Sequence, residues 1–253
     1  MTDSLPGGRF SGPAKEGQTV VRKSSGPNAA ALLQHLERSS FDLAPRFIST
    51  ANGLDTLSYL PGTAGLTPFT DDVRSEEALT SVATAIRRLH DHTQGFQPPA
   101  PTDWRVMDVA LPVEVDCIGH HDLSPWNLLF RGRQVVGIID WDTIAPSNRM
   151  WDLAFAAYQL VPLYPPAWLD VFGWPAEPDR RRRLHLLANT YGLGAQPAEL
   201  IDLALVRLAS LAAHMETQIR RGDPAYAVMR DEDHAGGLRA SVAWLSQNRK
   251  ALT

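Results

Sequence analysis

The sequence is poor in cysteine and lysine: Cys117 is its single thiol, and Lys15, Lys23 and Lys250 are its only lysines in 253 residues. One thiol excludes a disulfide within the chain, as expected of a protein kept in a reducing compartment. No apolar run reaches the about 18 residues that suggest a membrane span. Nor does a basic stretch lead into an apolar one at the start. A cytoplasmic protein without a membrane partner is therefore expected. Acidic charge outweighs basic, 28 side chains against 24, for a formal net charge of −4. That balance argues against a polyanion-binding surface, so no nucleic-acid partner is expected.

The chain is long enough to bury a substantial core, as one two-lobed domain or two small ones. Its chemistry is concentrated between Cys117 and Ala154, where Asp122, Asn127 and Asp140 lie beside apolar, strand-like runs. Leu128 to Phe130 and Val135 to Ile139 flank Arg131-Gly132-Arg133-Gln134, a pattern that predicts a hairpin. A hairpin brings the chain back to its start, so Asn127 and Asp140, at its two open ends, become neighbours. Pro125 keeps the preceding loop from becoming helix, and Asp122 sits on that loop. A carboxylate and an amide oxygen with a second carboxylate nearby form a hard oxygen-donor set suited to Mg²⁺. Asp122 is then left to orient or deprotonate a hydroxyl, the division of labour of phosphoryl transfer.

On these residues the sequence resembles the aminoglycoside phosphotransferase family, also called the phosphotransferase enzyme family. The catalytic-loop pattern HxDxxxxN is matched by His120, Asp122 and Asn127, the metal-binding IDWD by Ile139 to Asp142, and the following DLA by Asp152 to Ala154. The resemblance implies an α+β, protein-kinase-like fold: a small β-rich N-lobe at 1–62 and a larger, mainly helical C-lobe at 63–253. It also implies a kinase that moves the γ-phosphate of ATP or GTP, with Mg²⁺, to a hydroxyl of a small molecule. Aminoglycosides, macrolides, other antibiotics, choline-like amines and sugars all serve relatives as acceptors, and no motif separates them here. Asp122 is expected as the catalytic residue, with His120 holding the loop, and Asn127 and Asp140 as metal ligands. Asp142 is either a metal or loop partner or a solvated carboxylate. Asp152 is expected to order the loop by hydrogen bonding.

The N-terminal third is less explicit. A Gly-rich stretch from Gly7 to Gly12 precedes a strand at Thr19 to Lys23. The resemblance implies a nucleotide loop there, although a disordered terminus explains the glycines equally simply. It also implies a basic side chain on this strand for the nucleotide phosphates; the register is ambiguous by one residue and Lys23 is favoured over Arg22. A helix from Asn28 to Arg38, with Asn28 as its cap, follows. The family expects a glutamate here to pair with that basic residue, but Ala29 to Ala31 stand in its place, and Glu37 lies at the far end. Strands at Pro45 to Ser49 and Leu54 to Leu60, turning at Asn52-Gly53, lead to Pro61-Gly62. The resemblance implies adenine pairing with backbone around Ser58, Tyr59 and Leu60.

The remainder reads as helix: Arg74 to His92, Met150 to Leu160, Arg180 to Tyr191, Pro197 to Arg221 and Gly236 to Ala251. His90 and His92 lack a further ligand in register for zinc. Arg180 to Arg183 are expected on a solvated face with mixed packing, and Arg230 to His234 in an acidic loop that would suit a cationic acceptor. Two other readings stand beside the kinase: a nucleotide-binding pseudoenzyme without transfer activity, and a metal-dependent hydrolase using His120, His121, Asp122 and Asp140. The oligomeric state leaves no sequence signature.

Overall fold

A computed structural model describes residues 3–5, 12–100, 103–104, 114–192 and 194–253. The Gly-rich stretch from Gly7 lies outside them apart from Gly12. The N-terminal part is an antiparallel sheet of β1 (Asp3–Ser4), β2 (Ala14–Glu16), β3 (Thr19–Lys23), β4 (Phe47–Ala51) and β5 (Leu54–Ser58), in the order β1-β2-β3-β5-β4. Asn52 and Gly53 turn β4 into β5 with φ of 52° and 74°, the positive pair that tight hairpins require.

Helix α1 (Pro27–Arg38) crosses over between β3 and β4. Its cap is Gly26, not the expected Asn28, because Gly26 takes a φ of 90° and Pro27 occupies the first helical turn. Asn28 instead points out of the helix. Its carboxamide donates to the carbonyls of Ala100 (2.6 Å) and Asp103 (2.7 Å) and accepts from the Ala100 N–H (3.0 Å).

The larger part is mainly helical. It contains β6 (Thr63–Ala64), α2 (Asp71–Arg74), α3 (Glu76–Thr93), β7 (Cys117–Gly119), β8 (Leu128–Arg131), β9 (Gln134–Ile138), β10 (Ala145–Ser147), α4 (Arg149–Leu160), α5 (Arg180–Tyr191), α6 (Pro197–Arg220), α7 (Ala227–Asp231) and α8 (His234–Leu252). The helix expected from Arg74 breaks at Ser75, which ends α2 and caps α3 through its hydroxyl, accepting from the Ala78 N–H at 3.1 Å. Leu79, Val82, Ile86 and Leu89 of α3 are fully buried, the stripe that binds this helix to its neighbours. The α+β architecture, a small antiparallel sheet lobe and a larger helical part, is the expected one.

The expected solvated face of Arg180 to Arg183 is corrected in two positions. Arg180 and Arg183 are each 4% exposed. Arg180 stacks on Trp244, and Arg183 stacks on Trp174 while donating to the carbonyls of Leu160 and Arg74. Arginine can enter a core in this way because its flat, weakly hydrated head stacks on indole. Arg182 remains at the surface in a bidentate pair with Glu76.

Two short sheets form the floor of the cleft. One has the order β6-β8-β9 and the other pairs β10 with β7. In the β8–β9 hairpin Leu128 faces Ile138, and the Ile138 N–H donates to the Leu43 carbonyl at 2.7 Å. This bond ties the floor to the segment between α1 and β4.

Candidate active site

The hairpin brings its two ends together as the sequence predicts. The Ile139 N–H donates to the Asn127 carbonyl at 2.9 Å, so Asp140 follows directly on a residue bonded to Asn127. Asn127 closes a short 3-10 turn over Pro125–Asn127, and its amide Nδ2 reaches back to Asp122, 2.9 Å from the carbonyl and 2.8 Å from Oδ2. The Ser124 hydroxyl donates to the other carboxylate oxygen of Asp122 at 2.6 Å. Asp122 is therefore fixed in rotamer by two donors on its own loop. Burial pushes its carboxyl above the usual range, and the nearby Asp140 charge adds to this against the pull of Ser124 and Arg207. A carboxylate raised in this way is a better proton acceptor.

His120 is fully buried and holds this loop to the hairpin. Its Nε2 lies 3.0 Å from the Ile139 carbonyl, and its Nδ1 accepts from the Asp122 N–H at 3.3 Å. Only the neutral Nε2–H tautomer satisfies both bonds. With both nitrogens engaged, His120 has no lone pair for a metal, which removes a ligand from the hydrolase reading. Trp141 packs edge-on against the imidazole at 5.0 Å.

Behind the loop, Asp152 of α4 accepts the backbone N–H groups of His120 (2.8 Å) and His121 (2.9 Å). His90 lies 3.2 Å from the same carboxylate and 2.8 Å from the Tyr191 hydroxyl, while His92 bonds Ser39. The two histidines thus serve different contacts. Arg207 of α6 donates to the carbonyls of His121 and Trp151 and lies 3.8 Å from Asp152. For Asp152 burial is the largest influence and would raise its carboxyl, but the His90 bond and the charges of His90, His121 and Arg207 outweigh it and hold the group well below the usual range. Gly119 makes the approach possible: a Cβ there would come within 3.1 Å of Asp152 Oδ2 and 2.7 Å of Ser147 Cβ.

Asp140 adopts a φ of 63°, strained for a residue with a Cβ. Its Oδ1 is buried and makes no hydrogen bond among the described residues; the nearest cation is Arg22, with Nη1 at 3.7 Å. Among those residues no group of three or more His, Cys, Asp or Glu side chains is arranged to hold a metal. The donor set nonetheless fits Mg²⁺, which takes one or two carboxylates and fills its shell with water and substrate phosphate. Asp140 supplies an orphaned carboxylate oxygen, and Asn127, with its N–H groups on Asp122, supplies an amide oxygen.

On β3 the two candidate cations are placed differently. Lys23 is exposed, whereas Arg22 is 5% exposed and contacts Asp142 as well as facing Asp140. Strand alternation allows one of the two to face the cleft, and pairing of Arg22 opposite Asp55 sets which. Asp142 is buried, not solvated. Of the expected hinge, the Ser58 N–H donates to the Arg46 carbonyl and the Tyr59 N–H to the Gln18 carbonyl, both at 2.9 Å. Neither is left to donate to a base. Leu60 follows them next to Gly137. In the acidic loop, Asp231 pairs with Arg230, Glu232 with His234, and Asp233 caps α8. Arg207, His90 and Ser25 escaped sequence reasoning because each acts through a partner distant in sequence.

The model of the phosphotransferase enzyme family matches residues 100–186. The trifolitoxin immunity protein of Rhizobium leguminosarum bv. trifolii is 30% identical over 248 residues, covering 92% of this chain and 90% of that protein. A choline/ethanolamine kinase family protein from Mesorhizobium loti superposes with a TM-score of 0.61 at 18% identity, over 97% of this chain and 92% of the other. The GDP complex of an aminoglycoside 2′-phosphotransferase superposes with a TM-score of 0.59 at 14% identity, over 100% and 94%. Similarity along nearly the whole of both chains to the immunity protein, the family match across the Asp122 loop and the β8–β9 hairpin, and the shared fold agree: the chain belongs to the phosphotransferase enzyme family.

Proposed function

We propose that this protein transfers the γ-phosphate of ATP, or of GTP, to a hydroxyl group of a small molecule. The observation that carries the proposal is the convergence of Asp122, Asn127 and Asp140 at the open end of one hairpin, with Arg22 facing them from the sheet. Asn127 and Asp140 would hold Mg²⁺, which neutralises phosphate charge and aligns the groups when bound. Arg22 steadies the phosphates from the opposite wall. Leu60 supplies the remaining hinge N–H for the base, with the neighbouring carbonyls. Asp122 orients the acceptor hydroxyl and takes its proton as the new O–P bond forms; the bond from the γ-phosphorus to the bridging oxygen breaks, and the nucleoside diphosphate leaves.

The acceptor is a hydroxylated antibiotic, toxin or metabolite. The relative named for immunity to trifolitoxin favours a toxic acceptor, with phosphorylation as the means of inactivation. The test is diphosphate release by the full chain, with ATP and with GTP, against a library of hydroxylated antibiotics, peptide toxins, amino alcohols and sugars. Acceptor-dependent release that vanishes in Asp122→Asn is expected. Nucleotide binding without transfer to any acceptor would favour the pseudoenzyme, a reading motivated by the lack of a glutamate early in α1.

A further inference from the structure

The α1 sequence contains a single acid, Glu37, at its exposed end, 4.0 Å from Arg46 and engaged away from β3. Arg22 is nevertheless bound to a carboxylate. Its Nη2 contacts both Ser25 Oγ and Asp142 Oδ1, and the Ser25 hydroxyl donates to that same Asp142 oxygen at 2.7 Å. The three groups close a triangle between the strand, the linker into α1 and the loop after β9. Asp142 is 4% exposed, and charges so buried persist only when paired.

The loop is built to aim Asp142 at the sheet. The left-handed backbone at Asp140 reverses the chain. The Trp141 indole is then locked beneath, its N–H donating to the Ile138 carbonyl at 2.9 Å, and Asp142 emerges facing β3. On the other side, Ser25 is held by its own N–H, which donates to Asp55 Oδ2 at 3.1 Å. Asp55 lies opposite Arg22 in the sheet and also accepts the Thr50 hydroxyl at 2.6 Å. Both ends of the triangle are therefore fixed before any ligand arrives.

We propose that Asp142 is a positioning residue: it anchors Arg22 in the cleft in place of a helix glutamate, and Ser25 sets the angle of the pair. The proposal rests on the phosphotransferase reading, since the task of the anchored guanidinium is to meet nucleotide phosphates. Held by Asp142 through Nη2, Arg22 keeps Nη1 turned to the side where Asp140 lies. The loop that carries Asp140 and the strand that carries the phosphate-facing cation then move as one unit, and the absence of an acid from the first turns of α1 does not imply loss of transfer.

The test uses the full chain as wild type, Arg22→Met, Asp142→Asn, Asp142→Glu and the Arg22→Met/Asp142→Asn double variant. ADP binding is measured by calorimetry in chelator without Mg²⁺, and thermal unfolding is measured without ligand. Asp142→Asn is expected to weaken ADP about tenfold, with most of the loss recovered in Asp142→Glu and none added in the Arg22→Met background. The unfolding shifts of the two single variants should likewise fail to add. An ADP affinity unchanged in Asp142→Asn, or an equal loss in the Arg22→Met background, overturns the proposal; an affinity unchanged in chelator but lowered when the titration is repeated with Mg²⁺ would make Asp142 a metal ligand instead. If the wild type binds no nucleotide, the phosphotransferase reading fails and this role with it, whereas coupled unfolding shifts would still establish the pair as structural.

Discussion

Asp122 combines a fixed rotamer with a carboxyl raised by burial. The sign of its pH dependence follows: the protonated form persists above the usual carboxylate range, so transfer should rise with pH through that raised value. Asp122→Asn should lower turnover by about 10² to 10⁴-fold. Its thermal midpoint at neutral pH should be no lower, because a carboxyl with a raised folded-state value disfavours the folded state once ionised. Asp140 behaves differently. Its left-handed φ carries about 1–2 kcal/mol of steric cost, and glycine removes that cost while adding about 0.5–1 kcal/mol of chain entropy. Asp140→Gly should therefore unfold within about 1 kcal/mol of wild type in denaturant titration while losing Mg²⁺-dependent transfer. A large drop in stability would mean that Asp140 is a structural residue.

At the scale of elements, α4 supports the loop that begins at His120 through one carboxylate. Asp152 is held below its ordinary value in the folded state. Its stabilisation is fully present above the unfolded value of about 3.9 and is lost as pH falls from there towards the lower folded value. Asp152→Ala should cost about 3–5 kcal/mol at neutral pH, since it leaves two loop N–H groups without their acceptor and the buried Arg207 without its neighbouring carboxylate. Acid titration of the variant, followed by circular dichroism, should show a shallower loss of stability below about pH 4 than wild type. The β8–β9 hairpin and α5 contrast instructively. Two apolar runs and a glycine in the turn between them made the hairpin legible, because its pairing is local. The burial of Arg180 and Arg183 was illegible, because it depends on Trp244 and Trp174, which arrive from elsewhere in the chain.

At the scale of the whole molecule, specific links join the sheet and the helical part, among them Arg22 to Asp142, Ile138 to Leu43, and Asn28 to Ala100 and Asp103. Asn28→Ala removes three hydrogen bonds between the buried Asn28 carboxamide and the backbone of Ala100 and Asp103. It should cost about 2–3 kcal/mol in denaturant unfolding, with the nucleotide site otherwise intact. The sequence by itself determined the hairpin and the grouping of Asp122, Asn127 and Asp140, because each rests on a turn that closes within about 20 residues, and its motifs carried the resemblance that implied the α+β class. Only the tertiary structure decided that Arg22 is buried beside Asp140 while Lys23 is exposed, and that Asp142 is buried against Arg22. Those outcomes depend on the facing of a strand and on partners brought from other elements, and an order of residues along a chain does not encode a direction in space.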